Sequence, residues 1–119
     1  VCPTQASYIN EAGITLVDHD KCIGCKYCVV ACPYQARVLD PVSGNVDKCT
    51  FCWETKTSKG EKPACASICP TGAIAFGDLN DPKSEVRQAM AGRHAVKAKE
   101  HLGAQPKVMT IPNWRGGEA

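Results

Sequence analysis

The sequence has 119 residues, 44% apolar and 22% charged, with a formal net charge of +2. That length suits one domain of ordinary size, and the charge is too small to imply a nucleic-acid partner. The longest apolar run, around Val29-Val30-Ala31, falls far short of a membrane span. Seven aromatic residues, ten Gly and eight Pro leave little material for an apolar core, and nine cysteines point to what fills it. An odd number of cysteines argues against a closed disulfide framework, and thiols two residues apart are poorly placed to bridge one another. Reduced thiolates gathered around metal are the better reading.

The chain opens Val1-Cys2-Pro3-Thr4-Gln5-Ala6, in mid-motif, so it reads as the C-terminal part of a longer protein. The lack of a signal peptide is therefore uninformative. Ile14-Thr15-Leu16-Val17 is a short β-type run. Next comes a unit that starts Asp20-Lys21-Cys22-x-x-Cys25 and ends Cys28-x-x-x-Cys32-Pro33-x-x-Ala36. A second copy starts Asp47-Lys48-Cys49-x-x-Cys52 and ends Cys65-x-x-x-Cys69-Pro70-x-x-Ala73. Two residues separate Cys25 from Cys28 and twelve separate Cys52 from Cys65, an insertion rich in Lys, Glu, Thr and Gly. That composition reads as a solvated loop; its lysines, Lys56, Lys59 and Lys62, could instead meet an acidic partner.

The segments Cys28–Cys32 and Cys65–Cys69 suit single helical turns, each stopped by a Cys-Pro bond that disfavours further helix. Ala73-Ile74-Ala75-Phe76 is expected to form a strand. Strand, cysteine loop, short helix and strand, repeated, give an α+β, ferredoxin-like pseudo-twofold module over residues 1–80. Over residues 81–119 the cysteines stop. Asp81-Pro82 is read as an N-cap and first-turn proline leading into a helix. Gly92, Gly103 and Pro106 should break the chain into extended segments, and Lys107–Ile111 reads as a last strand. The stretch from about Asp81 to Trp114 is expected to pack and dock without ligating. His19, His94 and His101 are read as surface histidines.

Cys22-x2-Cys25-x2-Cys28-x3-Cys32-Pro33 matches the bacterial ferredoxin pattern for a [4Fe–4S] cluster. Two-residue spacers let three thiolates fold around one cubane face, with backbone N–H groups turned inward at the anionic cluster. Gly24 fits such a loop because it takes positive φ at little cost. The fourth cysteine lies one helical turn beyond the third, about 6 Å along the axis. It ligates the other cluster of a pair, which holds two clusters close together for an electron relay. Structural zinc also uses Cys-x2-Cys pairs. Zinc accounts for Cys22/Cys25 with Cys49/Cys52, but it leaves five cysteines without a role. Trp53 and Phe51 are expected to shield a cluster from water. Nothing resembles a nucleophile–base pair, a phosphate loop or a substrate pocket.

Through "KCIGCKYCVVACPYQAR" and "DKCTFCW…KPACASICPTGAIAFGDLNDP" the chain resembles the four-cluster iron–sulfur subunits of bacterial and archaeal respiratory complexes. These serve molybdopterin oxidoreductases of the DMSO reductase family, of the polysulfide, tetrathionate and nitrite-reductase type. The resemblance covers residues 1 to about 82. It implies an electron-transfer subunit, not a catalyst alone, set between a catalytic subunit and a membrane anchor that exchanges electrons with quinone. It implies membrane association through those partners, on the outer face in many relatives and on the cytoplasmic face in others. It also implies ligand sets. Cys22 to Cys32 would be the third cysteine motif and Cys49 to Cys69 the fourth. One cluster would then be held by Cys2, Cys22, Cys25 and Cys28. A second would be held by Cys49, Cys52 and Cys65 with an upstream fourth ligand, while Cys32 and Cys69 would reach clusters shared with upstream motifs. The phrase "CPTQA" repeats the closing phrase after Cys32 and Cys69, which favours Cys2 as a ligand. A stand-alone two-cluster ferredoxin would instead let Cys69 complete Cys22/Cys25/Cys28 and Cys32 complete Cys49/Cys52/Cys65, with Cys2 dispensable.

Overall fold

A computed structural model describes residues 1–112, so Trp114, the expected end of the docking segment, lies outside the described residues. The chain divides into two compact units, Val1–Ala64 and the part from Cys65 onward.

The first unit is built on two antiparallel hairpins. In one, β1 (Ser7–Ile9) pairs with β2 (Thr15–Val17), with Tyr8 opposite Leu16. The Asn10 side chain closes its turn, accepting from the amides of Ala12 (3.1 Å) and Ile14 (2.9 Å), and Gly13 takes the left-handed position at φ +76°. In the other, β3 (Val38–Leu39) pairs with β4 (Val46–Asp47). Its turn is organised by the Asp40 carboxylate, which accepts from the Ser43 hydroxyl at 2.6 Å and from the amides of Val42 and Ser43. Those donors, the Ser43 hydroxyl foremost, hold the Asp40 carboxyl below its ordinary range. Helix α1 (Tyr27–Ala31) lies between the hairpins in the chain. Helix α2 (Ala64–Ile68) falls at the division between the units.

The two short helices agree with the sequence reading: each is a single turn and each stops before a Cys-Pro bond. The strand expected over 73–76 is not formed. A strand is defined by its ladder, and among the described residues no segment pairs with this one. The matching stretch after Cys32 does form β3, because Val46–Asp47 returns to meet it.

The part from Cys65 holds α3 (Glu85–Met90) and a hairpin of β5 (Val96–Lys97) with β6 (Met109–Thr110). It is more structured than the extended tail the sequence suggested, and the helix starts later than Asp81-Pro82 implied. Asp81 heads a turn, accepting from the Lys83 amide (2.9 Å) and the Ser84 amide (3.1 Å), and Ser84 is the N-cap. The Ser84 hydroxyl donates to the Asp78 carbonyl at 2.5 Å, and its oxygen accepts from no helix amide. Gly92 and Gly103 do break the chain, both at φ +68°.

Apolar packing is thin, as the composition suggested. Among the described residues the buried apolar set is Ala6, Leu16 and Val46, with Pro63 also fully buried. Val30 and Val42 are 87% and 94% exposed, so neither helix α1 nor the β3–β4 turn is held by a conventional core. Isolated two-stranded hairpins are marginal in water, and the first unit depends on its loops packing closely. Gly24 shows how closely. It sits at φ +65°, and a Cβ there would drive into the Gly44 carbonyl oxygen. Gly13 has a similar φ with open space around it. Gly13→Ala is expected to cost about 1 kcal/mol through φ alone. Gly24→Ala should cost at least about twice that, because the loop must also move off Gly44. Thermal unfolding followed by circular dichroism checks the ranking.

Candidate metal centres

All nine cysteines are free thiols, none engaged in a disulfide. Three stand at Cys-Pro turns of one design. The Gln5 amide donates to the Cys2 carbonyl (3.4 Å), the Gln35 amide to the Cys32 carbonyl (3.3 Å), and the Gly72 amide to the Cys69 carbonyl (3.2 Å). The donor residue is left-handed each time, at φ +56°, +52° and +62°. This bend turns the following amides back toward the sulfur, forming a small anion nest.

The effect on the thiols is direct. The Thr4 hydroxyl, 3.6 Å from Cys2 Sγ, and the amides of Ser7, Thr4 and Ala6 bring the Cys2 pKa down to about 7. Cys69 is matched in kind: the Thr71 hydroxyl at 3.5 Å and the amides of Ala73, Thr71 and Ile74 bring it to about 7. Burial pushes the Cys32 thiol up, but the amides of Ala36 and Tyr34 and the Arg37 charge outweigh it, and its pKa is lowered. Hydrogen bonds that favour the charged form are what a metal-ligating thiolate requires.

The remaining cysteines lie on the two Asp-Lys-Cys-x-x-Cys loops and the helices after them. In the first loop Gly24 and Lys26 are left-handed; in the second Phe51 and Cys52 are, at φ +55° and +57°. Seven non-glycine residues among those described have positive φ, and five of them (Gln5, Lys26, Gln35, Phe51, Cys52) lie in cysteine loops or turns. Such backbone is costly and collects at functional sites. Cys28 sits inside α1 and Cys32 caps its end. Cys65 sits inside α2, with Cys69 immediately beyond that helix. The i, i+4 spacing of each pair is thus helical, as expected.

The β3–β4 hairpin braces the first loop. The Val46 amide donates to Cys22 Sγ (3.4 Å), the Asn45 side chain donates to the His19 carbonyl (3.1 Å), and Gly44 abuts Gly24. In the second loop the Phe51 amide approaches Cys49 Sγ at 3.5 Å. Phe51 and Trp53 are both partly covered. The insertion folds on itself: the amides of Thr55, Lys56 and Thr57 converge on the Cys52 carbonyl, and Lys56 pairs with Glu61 at 3.3 Å. His19, His94 and His101 are exposed; His19 stands 3.9 Å from the Asp47 carboxylate.

Among the described residues no three His, Cys, Asp or Glu side chains are gathered as a single metal ion would need. A mononuclear zinc site puts its sulfurs on a shell of about 2.3 Å, roughly 4 Å from one another. Cubane thiolates each bind a different iron and stand farther apart. The donors available to a metal cluster are free thiols, with lowered pKa at the Cys-Pro positions and amides turned toward those sulfurs. Sequence reasoning missed the hydroxyls of Thr4 and Thr71 and the left-handed residue three places after each Cys-Pro cysteine. Gly72 was the available signal for the second, since it occupies the place held by Gln5 and Gln35.

Several curated proteins are similar to this chain. A component of the polysulfide reductase of Wolinella succinogenes is 53% identical over 98% of this chain and 61% of its own length. Thiosulfate reductase electron transfer subunit PhsB of Salmonella typhi is 47% identical over 84% of this chain and 51% of its own length. A component of the sulfite dehydrogenase of Allochromatium vinosum is 44% identical over 94% and 49% respectively. The chain thus spans about half to three-fifths of the length of these relatives. A family model described as a 4Fe-4S dicluster domain matches residues 1–79, the part that holds every cysteine. The chain belongs to the 4Fe-4S dicluster domain family.

Proposed function

We propose that the chain is part of an iron–sulfur subunit that relays electrons between a quinone-reactive membrane anchor and a molybdopterin-type catalytic subunit of a respiratory oxidoreductase. It supplies conduction and docking rather than catalysis. The names of the relatives support this reading. Among the described residues no helix is long and apolar enough to cross a membrane. We place the protein at the membrane through its partners, with the extracytoplasmic face the favoured side.

The observation that carries the ligand assignment is the Cys2 turn, which shares its hydrogen bond, its left-handed residue and its inward amides with the turns of Cys32 and Cys69. A cysteine with no ligating role has no need of that cradle. We assign Cys2, Cys22, Cys25 and Cys28 to one cluster, and Cys49, Cys52 and Cys65 to a second whose fourth ligand belongs to a motif outside these residues. Cys32 and Cys69 would complete clusters whose other thiolates also lie outside them. The residues 1–80 form the cluster domain in this reading, and the pseudo-twofold arrangement relates its two cysteine units. When bound, the clusters accept and release single electrons. The chain's own part is to hold each thiolate, donate hydrogen bonds to the sulfurs, and cover the second loop with Phe51 and Trp53.

Two expectations test this. In the full-length protein, Cys2→Ala should remove iron equal to one cubane and abolish or alter one EPR signal of the reduced protein, leaving the others. Retention of all iron and all signals would favour the self-contained two-cluster scheme, in which Cys69 joins Cys22.

The segment after Gly77 is assigned to docking. Its shallow cavity of about 300 Å³ sets Arg87, Lys97 and Lys107 around Leu79, Met90 and Met109, a surface that suits an acidic, partly apolar partner. Truncation after Gly77 should weaken association with partner subunits by about tenfold or more in pull-down titrations while iron content is kept. Loss of iron amounting to a whole cluster would give the segment a second role.

A further inference from the structure

Lys21 and Lys48 hold the same place in the two Asp-Lys-Cys-x-x-Cys copies, yet their charges end in different surroundings. Lys21 Nζ lies 2.9 Å from Asp18 Oδ2, with its side chain 63% exposed. Its charge is met by a carboxylate and by water. Lys48 folds inward. Its Nζ donates to the Thr15 carbonyl of β2 at 2.5 Å and to the Cys49 carbonyl at 2.7 Å, and it stands 5.8 Å from the centre of the Phe51 ring. The residue is partly buried, and among the described residues no carboxylate lies within ion-pair distance of it. The neighbouring Asp47 carboxylate is turned to the Lys48 amide (2.7 Å) and to His19 (3.9 Å).

We propose that Lys48 is a tuning residue, whose fixed positive charge raises the reduction potential of the cluster held by Cys49 and Cys52. The proposal rests on reading those two cysteines as cluster ligands. Two carbonyl dipoles hold the ammonium in place without cancelling its net charge, and partial burial limits screening by water. A cluster that gains one electron becomes more negative, so an adjacent cation without an ion-pair partner favours the reduced form. The equivalent cation beside Cys22 is neutralised by Asp18 and has no such effect. Two loops of one sequence pattern are thereby given different potentials.

The experiment is an EPR-monitored redox titration of the full-length protein with iron analysis, comparing wild type, Lys48→Gln, Lys48→Arg and Lys21→Gln. Cys52→Ala identifies the signal that belongs to the second loop. Lys48→Gln should keep its iron and shift the reduction equilibrium of that one cluster about tenfold toward the oxidised form, about 59 mV for a one-electron step. Lys48→Arg should keep the wild-type potential, and Lys21→Gln should move nothing. Unchanged potentials in Lys48→Gln overturn the proposal, as does an equal shift in Lys48→Arg, which would mark the residue as a structural tie only. A Cys52→Ala protein that retains every cluster signal overturns the ligand reading itself, a failure distinct from the first.

Discussion

Everything in this chain depends on keeping thiolate sulfur charged inside a protein. A thiolate taken out of water loses its hydration and is stabilised only if donors replace it. The chain finds those donors in its own backbone, by bending through left-handed residues so that successive amides face a sulfur. The bend after each Cys-Pro is the simplest case, with a threonine hydroxyl added at Cys2 and Cys69. The left-handed backbone at Gln5, Gln35 and Phe51 goes with amides that face a sulfur.

Much of this was legible in the sequence because cysteine spacing is a local, one-dimensional signal. The positions of Cys28 and Cys32, and of Cys65 and Cys69, foretold single helical turns, and α1 and α2 are those turns. The strand over 73–76 was not legible, because a strand is a property of two segments and composition describes only one. The start of α3 was misplaced for a related reason. Asp81-Pro82 carries a good helix-start signal, but Asp81 spends its oxygens on a turn and Ser84 opens the helix. In the site, the nine thiols and the flexibility of Gly24 could be read directly. The Gly44 carbonyl that confines Gly24, and the inward fold of Lys48, arise from contacts between residues distant in the chain.

The two copies of the repeat are alike in ligands and different in support. The first loop is braced from outside, by the hairpin that carries Gly44, Asn45 and Val46 back against it. The second loop is braced from within, by Lys48 reaching Thr15 and by the insertion closing on the Cys52 carbonyl. Duplicated motifs therefore need not give duplicated environments. Partners and potentials can diverge while the cysteines stay fixed.

The closing of the insertion on its own first residue has a consequence for how such chains vary. Three amides meet the Cys52 carbonyl and Gly60 turns the chain back, so the loop's path is fixed at its root. Extra length added at its exposed tip, around Ser58–Gly60, is taken up in solvent, where loop closure grows only slowly more costly with size. The stretch between Cys32 and Cys49 has no such latitude, because its turn is wedged against Gly24. One loop is thus open to lengthening, trimming or the grafting of a recognition segment, while the other acts as a gauge block whose length the close fit at Gly24 dictates.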